Sequence, residues 1–320
     1  MIAHPQDASL RFTPEENAAV QTVNRIEQLR ALGVGSSGFP LPFTIDPTIA
    51  ISNAGVLNPI RQVARVIPIS TLTWHGTNSA GVTSTFTAEA TEVADGTPTR
   101  VQPIIQAQKM QSFVPFSIEA GQDWPSLEHE LARLFADSKT VLESAQFLTG
   151  TGSNAPGGLL NIGGTGGLTT SQRILTAGVA TYAVGDPWLL KAGIPARFLN
   201  TATFAAAPAI WDTTYRFVAQ GSTTEPRQFS DGDRGGDFLG RPKIEWSSMV
   251  TTTRTGSRIM VAGLFDQSVI VDRIGATIEM VPLLMGATNR FPTGQRGAYF
   301  YARTGSGVLN PGAFVYLEVQ

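Results

Sequence analysis

Val82-Thr83-Ser84-Thr85-Phe86-Thr87-Ala88-Glu89-Ala90-Thr91 is the stretch on which the reading of this chain turns. Val82, Ser84, Phe86, Ala88 and Ala90 alternate with Thr83, Thr85, Thr87, Glu89 and Thr91. The period is two and the residues are small or β-favouring, which predicts an extended strand. Asp95-Gly96 follows, a strong short-range hairpin signal. Val101 to Phe116 then runs back, with Pro103 and Pro115 marking edges, because proline cannot donate to a ladder. The predicted ribbon is long and has little apolar content near its tip. A two-stranded ribbon does not hold itself up in water, so this one calls for a neighbouring chain beneath it.

Outward from the ribbon, the longest helical pattern starts at Asp123-Trp124-Pro125-Ser126. Leu127, Leu131, Leu134, Phe135, Leu142 and Ala145 fall on one predicted face. At 1.5 Å per residue, about 25 residues span roughly 37 Å. The turn residues of Gly150 to Gly158 end the helix, and Leu159-Leu160 and a second Gly-rich stretch, Gly163 to Gly167, come next. On the other side, Val63 to Thr73 reads as a buried strand region interrupted by Pro68, hence an edge strand. The chain opens with Thr13-Pro14-Glu15-Glu16, a helix start, followed by Val20, Val23, Ile26 and Leu29 and a stop at Gly33. Gly33 to Pro59 reads as an extended arm.

From Asp186 the pieces are shorter. Asp186-Pro187 caps a helix carrying Trp188, Leu189 and Leu190. Ala196 to Leu199 reads as a strand and Ala207 to Trp211 as a helix, and Gln220 to Gly240 as a polar loop. Ile259 to Ala262 and Val269 to Val271 are apolar runs around a turn at Gly263 to Ser268. Ala298 to Ala302 and Phe314 to Val319 are the last predicted strands.

The chain has 320 residues, 42% hydrophobic and 15% charged, with a net charge of -2 at pH 7. That supports a sizeable core and argues against a broad basic nucleic-acid face. A low charge fraction leaves more surface to touch other protein. No cysteine is present, which removes disulfides, zinc-thiolate sites and thiol nucleophiles. No apolar run is long enough to span a bilayer, and the Met1 to Asp7 start resembles neither a signal nor a transit peptide.

Catalytic signals are sparse. Gly33-Val34-Gly35-Ser36-Ser37-Gly38 spells a dinucleotide fingerprint, but a helix precedes it and Phe39-Pro40-Leu41-Pro42 follows. The fingerprint needs a strand before and a helix after, so the arm reading stands. His4, His75 and His129 lack metal-ligand spacing. No G-x-S-x-G elbow supports a serine hydrolase. No catalytic, cofactor or metal residue is expected. Glu89, Glu92 and Asp95 cluster on the ribbon, where intersubunit ion pairing suits them better than acid-base work.

The order of elements goes further. Phe116-Ser117-Ile118-Glu119 with Asp123-Trp124-Pro125 resembles the spine-helix entry of the major capsid proteins of tailed double-stranded DNA bacteriophages, the Hong Kong ninety-seven fold. Phe147-Leu148-Thr149-Gly150-Thr151-Gly152 with Pro156-Gly157-Gly158-Leu159-Leu160 resembles the exit from that helix. Phe238-Leu239-Gly240-Arg241-Pro242-Lys243-Ile244 with Met249 is similar to a further motif of the family. So are Val261-Ala262-Gly263-Leu264-Phe265 with Ile270-Val271-Asp272-Arg273, where Leu264 replaces the usual Asp, and Asn310 to Val315.

The resemblance implies an α+β capsid fold. Residues 1–62 would be an N-terminal helix and arm, 63–75 a P-domain strand, and 76–111 the E-loop hairpin. Residues 112–182 would be the P-domain with its spine helix and β-sheet, 183–290 the A-domain, and 291–320 closing strands returning to the P-domain. It implies a non-enzymatic subunit that self-assembles into pentamers and hexamers around packaged double-stranded DNA, in a virion capsid assembled in the host cytoplasm. Its partners would be further copies of itself, a separate scaffolding protein, a portal and decoration proteins, with weak DNA contact and no membrane. Phe86, Glu89, Glu92, Asp95, Arg100, Phe39 and Phe43 are the expected intersubunit contacts. An encapsulin shell, enclosing an enzyme, is the alternative. Residues 1–59 are too short and too poorly charged for the cleavable scaffolding domain of some members. The ribbon tip has no lysine and Arg290 to Arg303 has neither Asn nor Glu, so covalent crosslinking of the kind a few members perform is not expected.

Overall fold

The computed structural model describes residues 51–320 apart from 54, 57, 93–94, 124–125 and 218–236. The predicted N-terminal helix, most of the arm with Phe39 and Phe43, and most of the polar loop at 220–240 lie outside the described residues. All described residues belong to one unit, Ala50–Gln320.

One helical turn, α1 (Ile60–Val63), leads into β1 (Arg65–Pro68). Four short strands follow: β2 (Thr73–His75), β3 (Asn78–Ser79), β4 (Arg100–Val101) and β5 (Ile104–Gln106). Then come β6 (Gln108–Ser117), α2 (Ile118–Asp123) and the long α3 (Leu127–Thr149). The next stretch carries β7 (Arg173–Leu175), α4 (Asp186–Gly193), α5 (Ala196–Leu199), β8 (Thr203–Ala206) and α6 (Pro208–Tyr215). The remaining strands are β9 (Asp237–Phe238), β10 (Arg241–Glu245), β11 (Arg258–Gly263), β12 (Ser268–Val281), β13 (Gln295–Val308) and β14 (Phe314–Glu318).

Two sheets organise the protein. The first has the order β1-β12-β13-β6, with β13 antiparallel to both neighbours and β1 parallel to β12. The second has the order β7-β14-β11-β8-β10-β9. Proline 68 does mark an edge strand, since β1 ends the first sheet. That strand is less buried than expected, with Val66 41% exposed, because only Ile67 turns toward Val269 and Val271.

The helix α3 joins two cores. Its first half buries Leu127, Leu131 and Phe135 against Ala298, Phe300 and Ala302 of β13. Alternate β13 residues face the helix, as a period of two requires, and Phe135 stacks on Phe300 at 5.4 Å. Each large side chain buried there contributes about 2 kcal/mol. Its last turns insert Phe147 and Leu148 into the larger core with Phe204, Trp211, Phe238, Trp246 and Tyr316. The buried face therefore shifts along the helix. That is why Leu142, predicted on the buried stripe, is 44% exposed while Glu143 and Ser144 are buried.

After α3 the chain folds back along the helix end. Leu159 and Leu160 N–H donate to the Phe147 and Leu148 carbonyls at 2.8 and 2.7 Å, satisfying groups a helix C-terminus leaves open. The close approach requires glycine, since a Cβ on Gly158 would sit 2.6 Å from the Thr149 nitrogen.

One expectation is corrected. Ala196–Leu199 is helical, not a strand: Pro195 stands directly before it, with a φ already suited to a helix start. Within 183–290, β12 pairs with β13 in the first sheet while β8 to β11 belong to the second, which also takes β14 beside β11 and β7.

Candidate intersubunit surface

The predicted ribbon leaves the body on two short ladders, β2 with β5 and β3 with β4. Gly76 sits at the exit, where a Cβ would lie 2.6 Å from Leu309 and 2.9 Å from Trp74. Asn78 Nδ2 donates to the Leu309 carbonyl at 3.2 Å, tying the base to the body. Beyond Ser79 and Arg100 the described residues form no ladder.

The ribbon thus differs from the long hairpin predicted. Asp95-Gly96 is not the apex turn. Asp95 Oδ1 accepts from the Thr97 N–H at 2.9 Å and the Thr97 hydroxyl at 2.5 Å, and Pro98 behind them has no N–H to give a ladder. The Thr97 hydroxyl and then its N–H hold the Asp95 carboxyl below its usual pKa. A second turn forms where Thr91 N–H donates to Ala88 O at 3.3 Å, with Ala90 in the left-handed region at φ 64°. Val82 to Ala88, the period-two stretch leading into this second turn, is exposed and forms no ladder.

Phe86 is fully exposed and Val82 is 67% exposed. Glu89, Glu92, Asp95 and Arg100 are all exposed, and among the described residues no ion pair joins them. The structure brings these five candidate contacts onto one protrusion without a shared pocket. His75 and His129 are exposed, and no group of three or more His, Cys, Asp or Glu converges among the described residues.

The first sheet has one face on α3 and one uncovered. The uncovered face carries Lys109, Gln111 and Phe113 of β6 beside Tyr299 and Tyr301 of β13. Tyr299 donates to Gln111 at 2.9 Å and Tyr301 to Glu279 at 2.8 Å, and the two rings lie 5.5 Å apart. Lys109 Nζ lies 5.5 Å from the Tyr299 ring centroid, within cation–π range. The Glu279 hydrogen bond raises the Tyr301 pKa. Phe113, 45% exposed, lies across Gly297, and a Cβ there would push its ring aside.

Sequence reasoning missed a cluster behind this face. Arg61 holds Glu143 through two bonds of 2.7 Å and Asp272 through bonds of 2.8 and 3.1 Å. Lys139 Nζ reaches Glu143 at 2.9 Å from one helical turn away. Glu143 is 2% exposed. Burial works against the charge on Arg61 and on Asp272. The hydrogen bonds and charges of their partners prevail, raising the first pKa and lowering the second. The spacing of Lys139 and Glu143 was a readable signal, but Arg61 and Asp272 are far from them in sequence and gave none.

A limb that exposes Phe86 and Val82 and an uncovered sheet face bearing Phe113 are surfaces suited to an assembly. The model of the phage capsid family matches residues 37–319. No curated protein sequence matches the chain. Solved structures share the fold. The capsid of a native GTA particle computed with C5 symmetry aligns with a TM-score of 0.71 at 18% identity, over 90% of this chain and 98% of that one. Gordonia phage Cozz aligns at 0.60 and 15% identity, over 90% and 96%, and Mycobacterium phage Ogopogo at 0.61 and 12%, over 90% and 99%. The chain belongs to the phage capsid family and is a structural capsid subunit.

Proposed function

We propose that this chain builds a closed icosahedral shell from pentamers and hexamers of itself, enclosing double-stranded DNA inside a virion. One observation carries the reading. The limb from Ala80 to Thr99 exposes Phe86 and Val82 and finds no ladder partner in its own chain among the described residues. Such a limb gains order only from a neighbour, and repeated weak contacts add up when the array closes. The first sheet with α3 serves as the P-domain, the second sheet with α4 to α6 as the A-domain, and the limb as the E-loop. Phe86, Glu89, Glu92, Asp95 and Arg100 then meet adjacent subunits, as do Phe39 and Phe43 from the arm. A scaffolding protein, a portal and decoration proteins complete the particle.

Expression of the chain with and without its co-encoded scaffolding candidates, followed by negative-stain microscopy and nuclease treatment, tests this. Closed shells that protect double-stranded DNA when packaging proceeds are expected. Shells that hold a protein cargo and no nucleic acid would move the assignment to an encapsulin, and a stable monomer at high concentration would end it.

A further inference from the structure

Two unsatisfied features of the same length scale stand apart in this molecule. Val82 to Ala88 has the composition and period of a strand, yet its backbone meets no ladder. Strand β6 is ten residues long and lies at the sheet edge, paired only with β13.

The direction in which that edge points follows from its own chain. In an antiparallel pair each residue aims both backbone groups to one side, and the side alternates. Pro115 opposes Gly297 and has no N–H, so it occupies a position facing away from β13. Ala107, just before the strand and of the same parity, already donates outward to the Leu72 carbonyl at 2.9 Å. Lys109, Gln111 and Phe113 share that parity and present N–H and C=O on the free side. An edge of ten residues bearing Phe113, lacking an outward N–H only at Pro115, is a template for another strand.

We propose that Val82 to Ala88 of one copy adds as an antiparallel strand to the free edge of β6 in a second copy, with Phe86 opposite Phe113. This rests on the shell reading above and names where the limb lands. Seven residues at about 3.3 Å each cover roughly 23 Å, well within the length of a ten-residue edge. Phe86 facing Phe113 makes an aromatic cross-strand pair on the uncovered face. The same register sets Ala88 opposite Gln111, and the turn from Ala88 to Thr91 then follows toward Lys109. It carries Glu89 and Glu92 to the Lys109 end, so opposite charges meet. Reversing the strand direction would carry them away from Lys109, which is why the antiparallel arrangement is favoured.

The absence of cysteine makes the test clean. Cα atoms of a hydrogen-bonded antiparallel pair lie about 5.5 Å apart, inside the range a disulfide bridges. Assembled particles of Phe86→Cys/Phe113→Cys, and separately of Ala88→Cys/Gln111→Cys, are oxidised mildly and run on a non-reducing denaturing gel. A ladder of covalent multimers is expected from both. Neither the single substitutions nor Phe86→Cys/Leu175→Cys, which pairs the limb with the other sheet, should give one. Intact particles whose subunits stay monomeric, or link only within one chain, overturn the proposal and leave the shell reading standing. A density map of wild-type particles reads the same contact if the variants do not assemble. Val82 to Ala88 lying anywhere but beside β6 overturns it. Failure of the wild-type chain to form shells overturns both.

Discussion

Arg61→Ala is the most informative single change to the body of the subunit. It removes four hydrogen bonds at once, two to Glu143 and two to Asp272. It also removes a guanidinium stacked 5.7 Å from the Phe147 ring centroid. Glu143 is 2% exposed and cannot recruit bulk water. Breaking a fully buried pair costs about 3–5 kcal/mol, most of it the penalty of an uncompensated charge. Two features reduce that here: Lys139 remains on Glu143 at 2.9 Å, and Asp272 is about a third exposed. The expected loss is then about 2–3 kcal/mol. With a guanidinium m-value of about 4 kcal/mol/M, the unfolding midpoint of the unassembled subunit drops by about 0.5–0.8 M. Arg173→Ala is the control, because Arg173 is 42% exposed and Arg258 still holds its partner Glu318, so the pair is worth under about 1 kcal/mol. A double-mutant cycle of Arg61→Ala with Glu143→Ala should return a coupling of at least about 1 kcal/mol. If Arg61→Ala lowers the midpoint no further than Arg173→Ala does, the cluster is not a structural clasp and the reasoning fails.

The clasp also sets a pH dependence. The Asp272 carboxyl is held below its usual range, so the stability it adds is full above about pH 4, the unfolded value, and is lost as pH falls through the lower folded value. Asp272→Asn should flatten that part of the acid-unfolding curve, and an unchanged slope would contradict it. Gly158→Ala places a methyl against backbone nitrogens that cannot yield, and little soluble subunit is expected in an expression assay. Asp186→Ala deprives the Ala177 and Ala183 N–H groups of an acceptor at 2.9 and 2.7 Å, a loss of about 2–4 kcal/mol. Its first sign should be faster proteolytic cleavage between residues 176 and 186. Purified particles should run as monomers on a denaturing gel, since no lysine stands between Gly76 and Arg100 to attack a neighbour; a covalent ladder without added oxidant would refute this.

What could be read in advance was whatever local chemistry decides. Long apolar periodicity and Ser126 located α3 to within a residue or two, and the glycines after Thr149 located its end. Ile259 to Ala262, Val269 to Val271, Ala298 to Ala302 and Phe314 to Val319 all fall in strands or at their ends. What could not be read was long-range choice. Nothing near Ser268 says that β12 leaves the sheet of β11, and nothing near Leu142 says that α3 rotates its buried face. The limb misled for a different reason. Its alternation is a true strand signal, but a strand needs an edge, and the chain keeps none for it among the described residues. The candidate contacts on the limb were legible as residues in want of a partner. The Arg61 cluster was not, because three separate segments build it.

Besides the long passage through α3, two short straps, residues 264–267 and 309–313, join the two sheets, and the straps are bonded to each other. Leu264 N–H donates to the Ala313 carbonyl at 3.1 Å, and Leu309 N–H to Gln267 at 2.9 Å. A single strap would be a swivel; two fastened side by side resist torsion and leave little freedom between the layers. The body therefore behaves as a stiff tile. If the shell forms as proposed, compliance between five-fold and six-fold surroundings falls to the limb, where no ladder among the described residues beyond Ser79 and Arg100 has to break when it bends.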